Sequence, residues 1–209
     1  MIKVKKLQAI KEKMEADITL PLKKGANLLV FGEGNPNCEI MFIGEGPGYH
    51  EDQKGIPFVG NAGSFLNQLL SHIKLDRNKV FITNVVHHRP PNNRDPLPEE
   101  LISYGKYLDQ IIEVVCPKVI VTLGRFSMAK FLPGVTITQA HGKSNVVKFK
   151  GRDVLVIPMY HPAAGLRNGE IKRRTIEDFI KLPDILEKHK RKTEIRQIDK
   201  EDAEQMSLI

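Results

Sequence analysis

Four short apolar runs constrain this chain more than any other feature. Glu39–Gly44, Val80–Val86, Lys118–Leu123 and Asp153–Pro158 are near-continuously hydrophobic and rich in Val and Ile. Runs of that length and make-up read as strands buried on both faces. Stretches of helical spacing alternate with them. Ala62–His72 sets Phe65, Leu66, Leu69 and Leu70 along one stripe, and Pro98–Val115 opens on Pro98-Glu99-Glu100, which suits a helix N-terminus. Arg125–Leu132 is a short helix that stops at Pro133-Gly134, and Thr175–His189 is expected to break or bend at Pro183. Strands alternating with helices predict an α/β fold with a parallel sheet covered on both faces. Leu28–Phe31 and Val146–Lys150 are candidate edge strands. No repeat and no domain boundary is visible inside 20–186.

Ligands of such sheets collect beyond the carboxyl ends of the strands. The first run is followed by Gly44-Glu45-Gly46-Pro47-Gly48-Tyr49-His50-Glu51-Asp52. The second run carries Asn84 and leads into His87-His88-Arg89-Pro90-Pro91-Asn92-Asn93-Arg94. The last run leads into Tyr160-His161-Pro162-Ala163-Ala164-Gly165-Leu166-Arg167. Polar and glycine-rich chemistry thus gathers at one sheet edge, which defines a site. The glycine loop is not a dinucleotide fingerprint, because the third glycine of Gly-x-Gly-x-x-Gly falls on Tyr49. Gly142-Lys143-Ser144 is not the end of a P-loop, because the earlier glycine would be Ile137. Gly44 to Gly48 suits either close backbone approach to a ligand or a tight strand-to-helix turn. Phe58, fixed between Pro57 and Gly60, reads as a core cap or as a stacking platform for a planar ligand. His50, His87, His88 and His161 lack the spacing of a zinc site, and no Cys-x-x-Cys is present. His161, before Pro162 at a strand end, reads as a hydrogen-bond donor or acid–base group.

Charge narrows the partner. Of 209 residues, 32 are Lys or Arg and 25 Asp or Glu, for a net charge of +7. From Glu187 to Ile209 there are six basic and six acidic residues, so the excess lies in residues 1–186. A basic folded body favours polyanions, nucleic acid above all. No apolar run approaches the ~18 residues that a membrane span needs. The lysine-rich start has no apolar core, so no signal peptide is expected, and two cysteines, Cys38 and Cys116, fit a reducing cytosol rather than a disulfide scaffold.

Taken together, Gly44-Glu-Gly-Pro-Gly, Glu51-Asp52, Gly55-x-Pro57-Phe58-Val59-Gly60-x-Ala62-Gly63, Asn84-Val-Val, Arg89-Pro-Pro-Asn-Asn-Arg, Pro98-Glu-Glu and His161-Pro-Ala-Ala-Gly-Leu-Arg167 resemble the family 4 uracil-DNA glycosylases. The likeness runs from about Pro21 to Leu186. It implies a three-layer αβα fold with a central four-stranded parallel sheet, and hydrolysis of the bond between uracil and deoxyribose at the start of base excision repair. By the same resemblance Phe58 stacks on the flipped uracil, Asn84 pairs with its O4 and N3, and His161 donates to O2. Gly46, Gly48 and Tyr49 offer backbone amides to the base, and Asn93 shapes the substrate loop. Glu45 and Glu51 are the carboxylates left to position water or stabilise the sugar cation. Similarity favours Glu45 for that task and gives Glu51 a place in the pocket wall. Arg167, Lys172, Arg173 and Arg174 grip phosphates, and Leu166 is the apolar wedge. A non-catalytic damage sensor, or an enzyme on the same fold that removes another base, are the alternatives.

Two departures stand out. Members of this family normally bind an iron–sulfur cluster through four cysteines. Flanking motifs put those positions at Asp17, Leu20, His88 and Tyr104, so neither cluster nor metal is expected. Residues 187–209, half charged and without aromatics, are expected to form a flexible tail. Its end, Gln205-Met206-Ser207-Leu208-Ile209, resembles the short peptide by which bacterial repair proteins bind the sliding clamp. A cytoplasmic monomer is expected.

Overall fold

The computed structural model describes residues 1–206. Its six strands are β1 (Glu33–Gly34), β2 (Ile40–Gly44), β3 (Phe81–Asn84), β4 (Val119–Leu123), β5 (Asn145–Phe149) and β6 (Arg152–Met159). They form one sheet in the order β1-β3-β2-β4-β6-β5. β3, β2, β4 and β6 run parallel, and β1 and β5 pair antiparallel at the two edges. The four expected parallel strands are therefore present at the centre, but the sheet is six-stranded and mixed.

The helices are α1 (Ile2–Ala16), α2 (Tyr49–Lys54), α3 (Asn61–His72), α4 (Pro98–Val115), α5 (Arg125–Ala129), α6 (Ile137–Ala140), α7 (Pro162–Arg167) and α8 (Gly169–Met206). Side chains alternate across the sheet, and both sets are apolar. Met41 and Ile43 of β2 join a core with Met14 of α1 and Tyr104, Leu108 and Ile111 of α4. Phe42 between them joins the opposite core, with Leu66 and Leu69 of α3 and Phe179 and Leu182 of α8. Each such side chain, fully buried, contributes roughly 1.5–3 kcal/mol, so the three layers follow from period-two burial on both faces.

Two local expectations change. Leu28–Phe31 is not a strand: Thr83 Oγ1 donates to Phe31 O at 2.7 Å, so a side chain takes the carbonyl that a ladder would use. The edge there is the two-residue β1. The other candidate edge, 146–150, is β5. Pro183 does not end the last helix. Phe179 and Leu182, both fully buried, pin the turn before it to the sheet, and the helical backbone continues through Met206. The described part of the segment from 187 has helical backbone, and Ser207 to Ile209 of the clamp-like peptide lie outside the described residues. Among the described residues no helix is long and apolar enough to cross a membrane.

Candidate active site

The carboxyl ends of β2, β3 and β6 open into one cleft of about 260 Å³. That is a volume for a single planar ring rather than an extended ligand. Glu45, Gly46, Gly48, Glu51, Phe58, Asn84, Asn93, His161 and Arg167 all line it. The strand register explains the convergence, because Gly44 pairs directly with Asn84 and brings the two loops side by side.

Asn84 lines the cleft, 1% exposed, and its Oδ1 has no hydrogen-bond partner among the described residues. An orphaned buried amide oxygen costs roughly 1–3 kcal/mol, so a ligand that donates to it recovers free energy. Phe58 is buried and lies at φ 54, a strained backbone for a bulky residue. Its ring stacks on His161, with centroids 5.6 Å apart and planes 28° from parallel.

His161 caps the N-terminus of α7, and its Nδ1 accepts the Ala163 N–H at 3.1 Å. Desolvation, reinforced by the charge of Arg167 and opposed by Glu51, lowers its pKa to about 4. At neutral pH the ring is uncharged, and with Nδ1 accepting, the proton resides on Nε2. His161 is therefore a neutral donor into the cleft.

The two carboxylates are held differently. Glu51 Oε1 accepts from the amides of Val59 and Gly60, both at 2.9 Å, and Oε2 accepts from Gly48 N at 3.1 Å. Glu51 thus ties the glycine loop to the Phe58 loop. Glu45 is held from the other side of the cleft, accepting the Phe126 N–H on Oε1 at 3.0 Å. Burial raises its pKa, against the Phe126 N–H and the charge of Arg125.

Three expected residues stand elsewhere. The Tyr49 ring is not part of the cleft wall; it is exposed, with the Arg89 guanidinium 5.3 Å from its centroid. Arg89 in turn donates to Asn93 Oδ1 at 2.7 Å. Leu166 is exposed on α7 outside the cleft lining. Arg173 is outside it too, paired with Glu170 at 2.7 Å and Glu177 at 2.5 Å on its own helix. Arg94, quoted from the sequence only as the end of a motif and given no role, and Asp95, which sequence reasoning missed, also line the wall. Arg94 is anchored through both nitrogens to the buried Glu100, at 2.9 and 2.6 Å. The motif that ends on Arg94 drew attention to that loop, but Asp95 beyond it carried no signal of its own.

The positions expected for cluster cysteines do not fit an iron–sulfur group. Leu20 is buried and apolar. His88 Nδ1 lies 2.8 Å from the Tyr104 hydroxyl, the two bonded to each other inside the core. Asp17 is engaged with Thr19 and, at 2.7 Å, with the Tyr107 hydroxyl. Among the described residues no group of three His, Cys, Asp or Glu side chains could hold a metal ion.

The parallel central strands of a mixed α/β sheet thus bring together, at their carboxyl ends, a buried amide, a stacked phenyl ring and a neutral histidine, a combination suited to holding a planar, hydrogen-bonding ring. The chain belongs to the Uracil DNA glycosylase superfamily, whose family pattern matches residues 31–181. It is 44% identical over 193 residues to a type-4 uracil-DNA glycosylase of Sulfurisphaera tokodaii, covering 90% of this chain and 88% of that one. A type-4 enzyme of Archaeoglobus fulgidus is 45% identical over 170 residues, covering 78% and 85%. One of Thermotoga maritima is 39% identical over 184 residues, covering 87% and 95%.

Proposed function

We propose that this chain is a uracil-DNA glycosylase that hydrolyses the N-glycosidic bond of a uracil nucleotide flipped out of DNA. The observation that carries the reading is the buried, unpartnered Asn84 Oδ1 in a ring-sized cleft. Uracil N3–H donates to that oxygen while the Asn84 amide N–H donates to O4. Cytosine presents the opposite pattern at both atoms and leaves the buried amide unpaired, which is the strongest form of polar discrimination. Phe58 stacks on the base, an interaction worth roughly 1–3 kcal/mol that offsets the cost of unstacking.

As the C1′–N1 bond breaks, its electron pair passes to uracil and negative charge gathers on O2. His161 Nε2–H donates there; a preorganised donor of this kind is worth roughly 10²–10³ in rate. Because His161 is neutral, it stabilises the anion without transferring a proton. Glu45, with Oε1 tied to the Phe126 amide, turns Oε2 to the water that attacks C1′ and takes its proton. Glu51 holds the loops. Gly46 and Gly48 border the base, the Tyr49 backbone lies at the head of α2, and Asn93 braces Arg89 at the rim. Arg167 and Leu166 meet the DNA on α7. Arg173 reaches phosphate by exchanging exposed glutamate partners, which costs little.

The same reading makes the chain a cytoplasmic monomer without an iron–sulfur cluster, with the His88–Tyr104 bond and the buried Leu20 filling that place. The Gln205–Ile209 peptide is a clamp ligand on this view, and deleting it weakens clamp binding without changing excision from a short oligonucleotide. The central test is single-turnover excision from uracil-containing oligonucleotides. His161→Ala and Asn84→Ala each lose at least about 100-fold while melting as the wild type does. Near-normal excision by His161→Ala refutes the assignment. Binding without cleavage by the wild type makes it a damage sensor. Stoichiometric iron in anaerobically purified protein refutes the cluster-free reading.

A further inference from the structure

The segment just after β4, Gly124-Arg125-Phe126, lies outside the motifs that define the site, yet it holds the cleft's freer carboxylate. Phe126 N–H donates to Glu45 Oε1 at 3.0 Å, and the neighbouring Arg125 backbone N–H adds a weaker interaction with the same carboxylate. Gly124 lies at φ +109, a conformation that residues with a side chain rarely adopt. A Cβ there would stand 2.5 Å from Glu45 Cδ and 2.9 Å from Cγ, and closer still to Oε1. The backbone cannot retreat, because Gly124 N–H donates to Met159 O at 2.9 Å, at the end of β6. Gly124 is thus fixed against the sheet, and the space where its side chain would be is filled by the Glu45 carboxylate.

We propose that Gly124 is a positioning residue for uracil excision, and that its missing side chain lets Glu45 seat Oε1 on the Phe126 amide and present Oε2 to the attacking water. The inference rests on the catalytic reading of Glu45. Its physical content is orientation: one oxygen of a partly buried carboxylate is fixed by a backbone donor, so the other has a single direction. Any side chain at 124 rotates the carboxylate off the amide by about 1 Å, a displacement that typically costs about 100-fold in rate. The charged groups bearing on Glu45 from the neighbouring elements are Arg125, at the start of α5, and Asp95, in the loop before α4; they pair with each other. Arg125 and the Phe126 amide favour the carboxylate form, whereas Asp95 opposes it.

The test is a double-mutant cycle of Gly124→Ala and Glu45→Gln, read as the single-turnover rate at saturating enzyme with a uracil oligonucleotide, across pH. Gly124→Ala is expected to lower the rate about 100-fold and to move the acid limb of the profile to higher pH, because the carboxylate loses its amide donor. In the Glu45→Gln background the same substitution is expected to cost less than threefold. Equal losses in both backgrounds overturn the proposal and leave Glu45 as the catalytic carboxylate. A wild-type rate for Glu45→Gln overturns the reading of Glu45 itself and the proposal with it. Should Gly124→Ala fail to fold, Arg125→Gln, altered on an exposed side chain, is expected to move the acid limb of the same single-turnover profile upward while its plateau rate is kept. An unmoved limb then counts against the cradle.

Discussion

Gly44→Ala perturbs the two groups that define the base pocket with a single methyl. Gly44 ends β2 and faces Asn84 across the ladder. A Cβ built there lies 2.6 Å from Phe58 Cζ and 2.7 Å from Cε2, and closer still to Asn84 Oδ1. Ordinary contact begins near 3.4 Å, so the ring and the amide must each withdraw by about 1 Å. Neither withdraws freely. Phe58 is held at φ 54 by its surroundings, and Asn84 is buried at a strand end. Overpacking of this kind costs about 1–3 kcal/mol of stability, and in a domain of this size each kcal/mol lowers Tm by roughly 2–4 °C. The effect on chemistry is larger. A displacement of about 1 Å at both base contacts is expected to slow excision about 100-fold, or about 2.7 kcal/mol of barrier. Thermal melts and single-turnover excision under saturating enzyme measure the two terms separately. A Gly44→Ala protein that excises uracil within threefold of the wild-type rate would falsify the placement of the base between Phe58 and Asn84.

The remaining expectations concern stability and the loops around the site. Burial lowers the pKa of His87 to about 3 and that of His88 to about 4. Both rings therefore contribute stability that is fully present above about pH 6.5 and is lost as pH falls towards 4, by about 3 kcal/mol each; denaturant melts at pH 7 and pH 4.5 that give equal free energies refute this. Asp52 is 1% exposed and accepts Asn27 N at 2.9 Å, so Asp52→Ala removes a charge-assisted hydrogen bond that ties the 27–28 segment to α2 and is expected to cost about 1.5–3 kcal/mol in chemical denaturation. Glu51→Ala removes the acceptor for three loop amides and is expected to lower both stability and excision rate, with Glu51→Gln milder because it keeps one carbonyl oxygen. Melting and rate for the two variants test the order.

Much of the scaffold was legible because its signals are local. Pro98 at the first helical position, with Glu100 accepting from Leu97 N at 2.7 Å, fixes the start of α4 where the sequence places it. The central strands agree to within a residue or two because continuous Val–Ile runs between turn residues have few other solutions. What failed was decided by tertiary contact. Two residues of β1 carry no periodicity, and Pro183 looks like a helix terminator until Phe179 and Leu182 are seen buried against the sheet. Local propensity is a weak prior when a long amphipathic face has a surface to cover.

The site divides the same way, and the two glutamates show why. Read from residue type and placement alone, Glu45 and Glu51 are equivalent, since both follow a strand beside glycines and either could face a reacting water; only the family resemblance ranks Glu45 first. Hydrogen bonding separates them. Glu51 has both oxygens committed to the amides of Gly48, Val59 and Gly60, so releasing either one would loosen the loop that carries Phe58. Glu45 has one oxygen committed, and its partner comes from α5, far away along the chain. Neither the Phe126 amide nor the vacant volume at Gly124 leaves a mark in the motifs around Glu45. The role of a carboxylate depends on which of its lone pairs the fold has already filled, and that is settled by backbone N–H groups, which every non-proline residue carries alike.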